Sequence, residues 1–238
     1  MVNLLKNKDM DRQKNALSVL FLLFGILFCV GLVAANVFET KQIDLVWGSV
    51  TGGVLVFPVT YIINDCVTEV WGYGKARLLI WAGFAANFLF VGLGALVDAL
   101  PGAQYWDNEA GFHAIFGLAP RIAAASFVAF IAGSFANSYV MSRMKIASKG
   151  GRFSVRAVAS TLVGESIDSI IFFPLAFYGV IPTGELPKLM AWQVVLKTGY
   201  EIAVLPLTIW VVKKVKAHEG EDAYDRGRSY NILKIFDL

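Results

Sequence analysis

The sequence predicts an all-α membrane protein with six transmembrane helices, and three observations lead there. Of the 238 residues, 57% are hydrophobic and 16% charged, whereas a soluble domain sits near 45–50% apolar and about 25% charged. The excess gathers in runs of about 20 residues, the length that carries a helix across a hydrocarbon core of roughly 30 Å. Basic residues also alternate between rich and poor segments from one run to the next.

The first run, 16–37, follows Lys6, Lys8, Arg12 and Lys14. That layout resembles a signal peptide, but the run is longer than a usual apolar region and more runs follow, so an uncleaved first helix is expected. It carries no charge and reads as scaffold. The second run, 45–69, begins with "WGSVTGG" and reaches Pro58 soon after. Each Gly costs a helix about 1 kcal/mol relative to Ala. Two readings stay open. One is a single helix from 45 that delivers Asp65 to the cytoplasmic interface. The other is a broken segment, extended or re-entrant through 48–53 and helical again near Phe57-Pro58, which holds Asp65 and Glu69 deeper.

The third run is 78–97, with Asn87 at its middle. Residues 98–118 place Trp106, Phe112 and Phe116 among polar groups, the pattern of an outer interfacial helix, with His113 a surface residue. Pro120 suits the first turn of the fourth run, 119–142, because its missing N–H is not needed there. The fifth and sixth runs are 155–180 and 189–212. The expected organisation is a cytoplasmic N-terminus at 1–15, a transmembrane domain at 16–212 and a polar, mobile cytoplasmic tail at 213–238.

Orientation follows from the basic residues. Four precede the first run, Lys41 alone follows it, and Lys75 and Arg77 follow the second. None lies in 98–112, five lie in 143–156, Lys188 stands alone, and Lys213, Lys214 and Lys216 follow the sixth. By the positive-inside rule both termini are cytoplasmic.

Apart from Arg156, which is counted with the basic segment 143–156, seven charged residues are taken as lying within or at the edge of these runs: Asp65, Glu69, Arg121, Glu165, Asp168, Lys197 and Glu201. Facing lipid they would cost on the order of 20 kcal/mol together, so a shared interior is expected. Spacing agrees. Tyr61, Asp65 and Glu69 are four apart, with Asn64 and Thr68 adjoining; so are Thr161, Glu165 and Ser169, with Asp168 beside them. Gln193, Lys197 and Glu201 form a third such stripe, and this spacing stacks side chains on one helical face. Asn64, Asn87 and Arg121 complete the candidate set. Five acids against two bases leave a net charge of −3 inside the bundle, so a proton or a polar ligand is expected among the carboxylates.

Other chemistry is absent from the sequence. It holds no Ser-His-Asp set, no HExxH and no GxSxG, so no enzyme is expected, and no metal or cofactor site is recognisable. Gly72 and Gly74 lack the strand–turn–helix setting of a nucleotide fingerprint. Cys29 and Cys66 read as two inert thiols. The basic run at 143–156 is explained by topology, so the expected surroundings are lipid bilayer and not nucleic acid.

Four stretches, "INDCVTEVWGYGKAR", "IFGLAPRIAAASFVAF", "RAVASTLVGESIDSIIFFPLAF" and "KTGYEIAVLP", together resemble the VUT family of queuosine-precursor transporters over about 45–212. The resemblance implies a bacterial inner-membrane protein that imports 7-cyano- or 7-aminomethyl-7-deazaguanine without an ATPase. Deazaguanine offers a lactam N–H and an exocyclic amine side by side, which one carboxylate accepts together. Glu165 and Asp168 are the expected partners of that edge. Asp65 and Glu69 come next, as second contacts or coupling carboxylates. Lys197, Asn87 or Asn64 would donate to the carbonyl, and Arg121 would guard entry. A substrate-binding subunit like those of energy-coupling-factor transporters is the alternative, and a homodimer is the general oligomeric expectation.

Overall fold

The computed structural model describes residues 18–38, 41–45, 48–116, 120–178, 184, 186–225, 227 and 229–235. The expected cytoplasmic N-terminus at 1–15 lies outside the described residues. Helix α1 is Val19–Phe38; strands β1, Gln42–Leu45, and β2, Gly48–Thr51, follow. A 3-10 turn, Gly52–Leu55, leads into α2, Phe57–Asp98. Then come α3, Glu109–Phe116; α4, Pro120–Ala147; α5, Phe153–Phe177; and α6, Leu186–Glu219.

The glycine-rich opening of the second run is not helical. Residues 42–51 form an antiparallel hairpin that pairs Ile43 with Val50, and the helix begins at Phe57 with Pro58 in its first turn. This is the interrupted one of the two readings. It follows from glycine's low helix propensity and from a proline that suits a helix start.

The expected basic loop between the second and third runs is replaced by a turn at one residue. Within α2, Gly72 has φ 87° and ψ 173°, a conformation open to glycine alone. Both halves of α2 flank α1: Thr60 adjoins Gly31, while Gly83 adjoins Phe28 and Leu32. Thr60 and Gly83 are about equally far from Gly72 along the chain, so the halves run antiparallel. Trp71, at the turn, is held edge-on by Phe21 at 5.5 Å and Phe24 at 5.7 Å.

Helix α4 lies against both halves. Tyr61 meets Gly133 and Asn64 meets Ser138, a parallel alignment with the first half. Phe127 stacks on Phe84 and Phe135 on Trp81, which is antiparallel to the second. Helices α4 and α5 cross where Gly133 and Gly164 touch, each backbone carbonyl within 2.9 Å of the position a Cβ would take on the other. Small residues let helix backbones approach this closely where lipid removes the hydrophobic drive.

Acidic side chains are buried inside the molecule, alongside an apolar core, while many large apolar side chains face outward. Leu22 is 57% exposed and Phe88 68%, while Glu165 is 0% and Asp65 1%, the reverse of a soluble protein. Among the described residues, four helical stretches are long and apolar enough to cross a membrane: Val19–Phe38, Gly52–Asp98, Phe153–Ala176 and Leu186–Glu219. The second, 47 residues long, spans about 70 Å of helix, far more than one crossing needs. Helix α4 is long but more polar because Ser134, Asn137, Ser138 and Ser142 are all buried. The protein is therefore an α-helical, multi-pass membrane protein.

At one end, α3 forms as expected. It has no buried residue, and Phe116 packs on Phe90 while His113 bonds Asp98 at 2.8 Å. At the other end the tail corrects two expectations. Lys75 and Arg77 are buried, and the segment after α6 covers them. Ala223 N–H donates to the Val70 carbonyl. Arg77 donates to the carbonyls of Ser229 and Asn231, and Trp81 to that of Ile232. Asp225 accepts the Tyr73 N–H at 3.0 and 3.1 Å. That amide is orphaned by the turn at Gly72, so a tail carboxylate supplies what a helix N-terminus lacks.

Candidate functional site

Successive turns of α2 set the site out in three tiers, Tyr61, Asp65 and Glu69, each about 6 Å further along the helix. Each tier recruits α4, α5 and α6 differently.

In the first tier, α5 contributes Glu165 and Asp168 and α6 contributes Lys197, all buried. Lys197 Nζ lies 2.8 Å from Glu165 Oε2 and 3.5 Å from Asp168 Oδ2, and 4.4 Å above the Phe57 ring. The two carboxylates thus share one ammonium, itself resting on an aromatic face. Tyr61 is wedged where Gly133 and Gly164 touch, and it is electrostatically close to both Glu165 and Asp168. Glu165 Oε1, the Ser169 hydroxyl and Gln193 Oε1 are buried without hydrogen-bond partners. Unpaired buried polar atoms are costly, so this tier sets acceptors and a hydroxyl, beside an aromatic ring, where a polar partner would satisfy them.

In the second tier, Asp65 Oδ1 accepts the Asn137 amide at 2.7 Å. Glu201, from α6, lies beside both Asp65 and Thr161. Asn64 donates to the Ser138 hydroxyl at 2.7 Å and to the Ser134 carbonyl at 3.5 Å.

In the third tier, Glu69 is surrounded by bases. Arg156 bonds one carboxylate oxygen; Lys216 bonds the other at 2.6 Å, and Lys145 lies 3.7 Å away. Asp222 of the tail joins Lys145 at 2.6 Å and Lys216 at 2.9 Å. Burial alone would raise the Asp222 carboxyl, but these two ammonium groups hold it below the usual range. One carboxylate, three cations and a tail residue therefore tie α2, α4, α5 and α6 together at the basic end.

The candidate residues are thus divided. Glu165, Asp168 and Lys197 meet in one group, and Asp65 and Glu201 in a second joined to Asn137. Glu69 is engaged by cations at the end of the bundle, and Asn64 is tied to α4. Asn87 is buried on the second half of α2, where its carbonyl oxygen finds no donor. Arg121 opens α4; its side chain lies outside the described residues. The stripe on α6 reads differently from its spacing: Lys197 pairs with α5 and not with Glu201. Asn137, Ser134 and Ser138 were missed, although Ser134, Ser138 and Ser142 recur at four-residue spacing. The tail acids Asp222 and Asp225 had no local pattern to mark them.

A family model described as "Putative vitamin uptake transporter" matches residues 51–211, more than half of the chain. The chain is 26% identical over 190 residues to a Bacillus subtilis (strain 168) protein named "Probable queuosine precursor transporter", covering 79% of this chain and 82% of that one. It is 27% identical over 150 residues to the Escherichia coli (strain K12) "Queuosine precursor transporter", covering 62% and 64%. With a Haemophilus influenzae protein named "Probable queuosine precursor transporter" it shares 28% over 128 residues, 54% and 52%. No solved structure matches the chain.

Proposed function

The chain belongs to the vitamin uptake transporter family, and from that premise we propose that it imports queuosine precursors, 7-cyano- or 7-aminomethyl-7-deazaguanine. Its relatives carry transporter names, not enzyme names, and the reading is of a transporter without catalytic chemistry. In this reading the fold makes six crossings, the two halves of α2 counting separately. The basic end, with the turn at Gly72 and the tail, faces the cytoplasm of a bacterial inner membrane.

The observation that carries the proposal is the first tier. Glu165 and Asp168 share Lys197 over the Phe57 ring. A deazaguanine brings two adjacent donors, a carbonyl acceptor and a flat ring. Its donor edge suits a carboxylate, its carbonyl suits the Lys197 ammonium, and its ring suits the Phe57 and Tyr61 faces. A base bound this way takes over from Lys197 as the hydrogen-bond partner of one carboxylate, while the ammonium stays beside it on the base's carbonyl. The third tier then closes the cytoplasmic exit while the chamber is loaded.

Transport is secondary and coupled to protons. Of the four carboxylates in the first two tiers, Glu165 and Asp168 pair with the Lys197 ammonium, while Asp65 and Glu201 pair with no cation among the described residues, so these tiers take up protons as part of their charge balance. Direct binding to the purified protein tests the reading. Both deazaguanines bind saturably and guanine competes weakly; Glu165→Gln and Asp168→Asn lose binding. Undiminished binding in both variants sinks the site assignment.

A further inference from the structure

The pair in the second tier differs from the carboxylates of the first and third tiers in what faces it. Glu69 has three cations and Glu165 and Asp168 share one. Asp65 and Glu201 adjoin each other, and among the described residues no ammonium or guanidinium bonds either. Asp65 Oδ1 is held by the Asn137 amide, whereas Asp65 Oδ2 and Glu201 Oε2 are buried with no donor. The Thr161 hydroxyl is buried beside Glu201 and is the neutral donor that faces it.

The surroundings come from every packed helix. On α2, Tyr61 lies one turn before Asp65, Glu69 one turn after, and Cys66 alongside. Helix α4 supplies Asn137, and α5 supplies Thr161, with Arg156 and Glu165 at longer range. On α6, Lys197 lies one turn before Glu201 and is committed to α5. Two carboxylates in this setting are compatible when one proton lies between them, because O–H···O⁻ is a short, strong bond and two bare anions repel.

We infer that the Asp65–Glu201 pair is the proton-binding site of the transport cycle, separate from the Glu165, Asp168 and Lys197 group that receives the base. The inference rests on the importer reading above. One proton adds to a carboxylate oxygen of the pair, and the O–H so formed is shared with the other carboxylate. The proton later leaves to water on the cytoplasmic side; nothing is oxidised or reduced. The position fits the task. The pair lies one turn of α2 from the chamber and one turn from Glu69, whose cations close the basic end. Loss of the shared proton leaves two facing anions, which pushes α2 and α6 apart at the level between chamber and exit.

The test uses the full-length protein in liposomes with labelled 7-cyano-7-deazaguanine, which carries no charge. Wild type shows counterflow whose rate changes from mildly acidic to mildly alkaline pH, and it accumulates the base when the outside is acid. In Asp65→Asn and Glu201→Gln the remaining counterflow is flat with pH and the acid-driven accumulation is lost. Glu165→Gln instead loses counterflow at every pH. A wild-type pH profile in both pair variants overturns the inference, and so does complete loss of counterflow in both, which would put the pair in the base's own site. Absence of counterflow in wild type defeats the importer reading instead. Should a variant not fold, infrared spectra of wild type decide. A protonated-carboxyl band at neutral pH that Glu201→Asp shifts supports the pair; no such band overturns it.

Discussion

At the scale of single residues, Gly72 and Lys197 organise the molecule. Gly72 alone reverses the chain between the halves of α2, and a Cβ there would also lie 2.8 Å from the Asp225 carboxylate. Gly72→Ala therefore costs about 1–3 kcal/mol of backbone strain, before the clash is counted, and a melt in detergent reads it as a lower transition temperature. Lys197 holds Glu165 and Asp168 together. Lys197→Met leaves two buried acids without their cation and lowers affinity for the base by roughly tenfold or more, the size of a lost charged hydrogen bond. Titration calorimetry checks this. Both residues could be seen in the sequence, one as a glycine and one as an intramembrane charge. The partner of Lys197 could not, because spacing along α6 favours Glu201 while the contact with α5 is made by packing between separate helices.

At the scale of elements, two contacts decide whether the tiers assemble. The crossing of α4 and α5 seats Tyr61 and Asn137 against Gly164, and Gly164→Val would drive a side chain into the Gly133 carbonyl and the Tyr61 ring. That variant is expected to lose its single sharp peak in size-exclusion chromatography, whereas Gly199→Val, where nothing lies within 4 Å of the added Cβ, keeps it. The tail is the second contact. Asp225→Ala strips acceptors from the Tyr73 N–H and the Ser142 hydroxyl, a loss of about 1–3 kcal/mol, and limited proteolysis should cut the tail earlier than in wild type. Helix positions were legible because apolar runs are long. The hairpin and 3-10 turn were legible only as an open alternative, since glycine weakens a helix without dictating what replaces it. The packed tail was not legible at all: its polar composition resembles a mobile end, and only the buried Lys75, Arg77 and Tyr73 amide explain why it is held.

At the scale of the whole molecule, charge is sorted by depth. An apolar exterior surrounds two carboxylates that share one ammonium, a carboxylate pair and a basic end where three cations gather on Glu69. In the six-crossing reading both termini are cytoplasmic, so fluorescent protein fused to the C-terminus glows in cells, while alkaline phosphatase fused there stays inactive; the opposite pattern refutes the orientation. The central claim is that this chain alone moves a deazaguanine through the Glu165, Asp168 and Lys197 chamber. The most direct measurement is uptake of labelled 7-cyano- and 7-aminomethyl-7-deazaguanine into liposomes holding only this protein. Uptake is expected to be saturable without ATP or a partner subunit and to be abolished by Glu165→Gln. Uptake that begins only when an ATP-driven partner module is added, or that persists unchanged in Glu165→Gln, would contradict it.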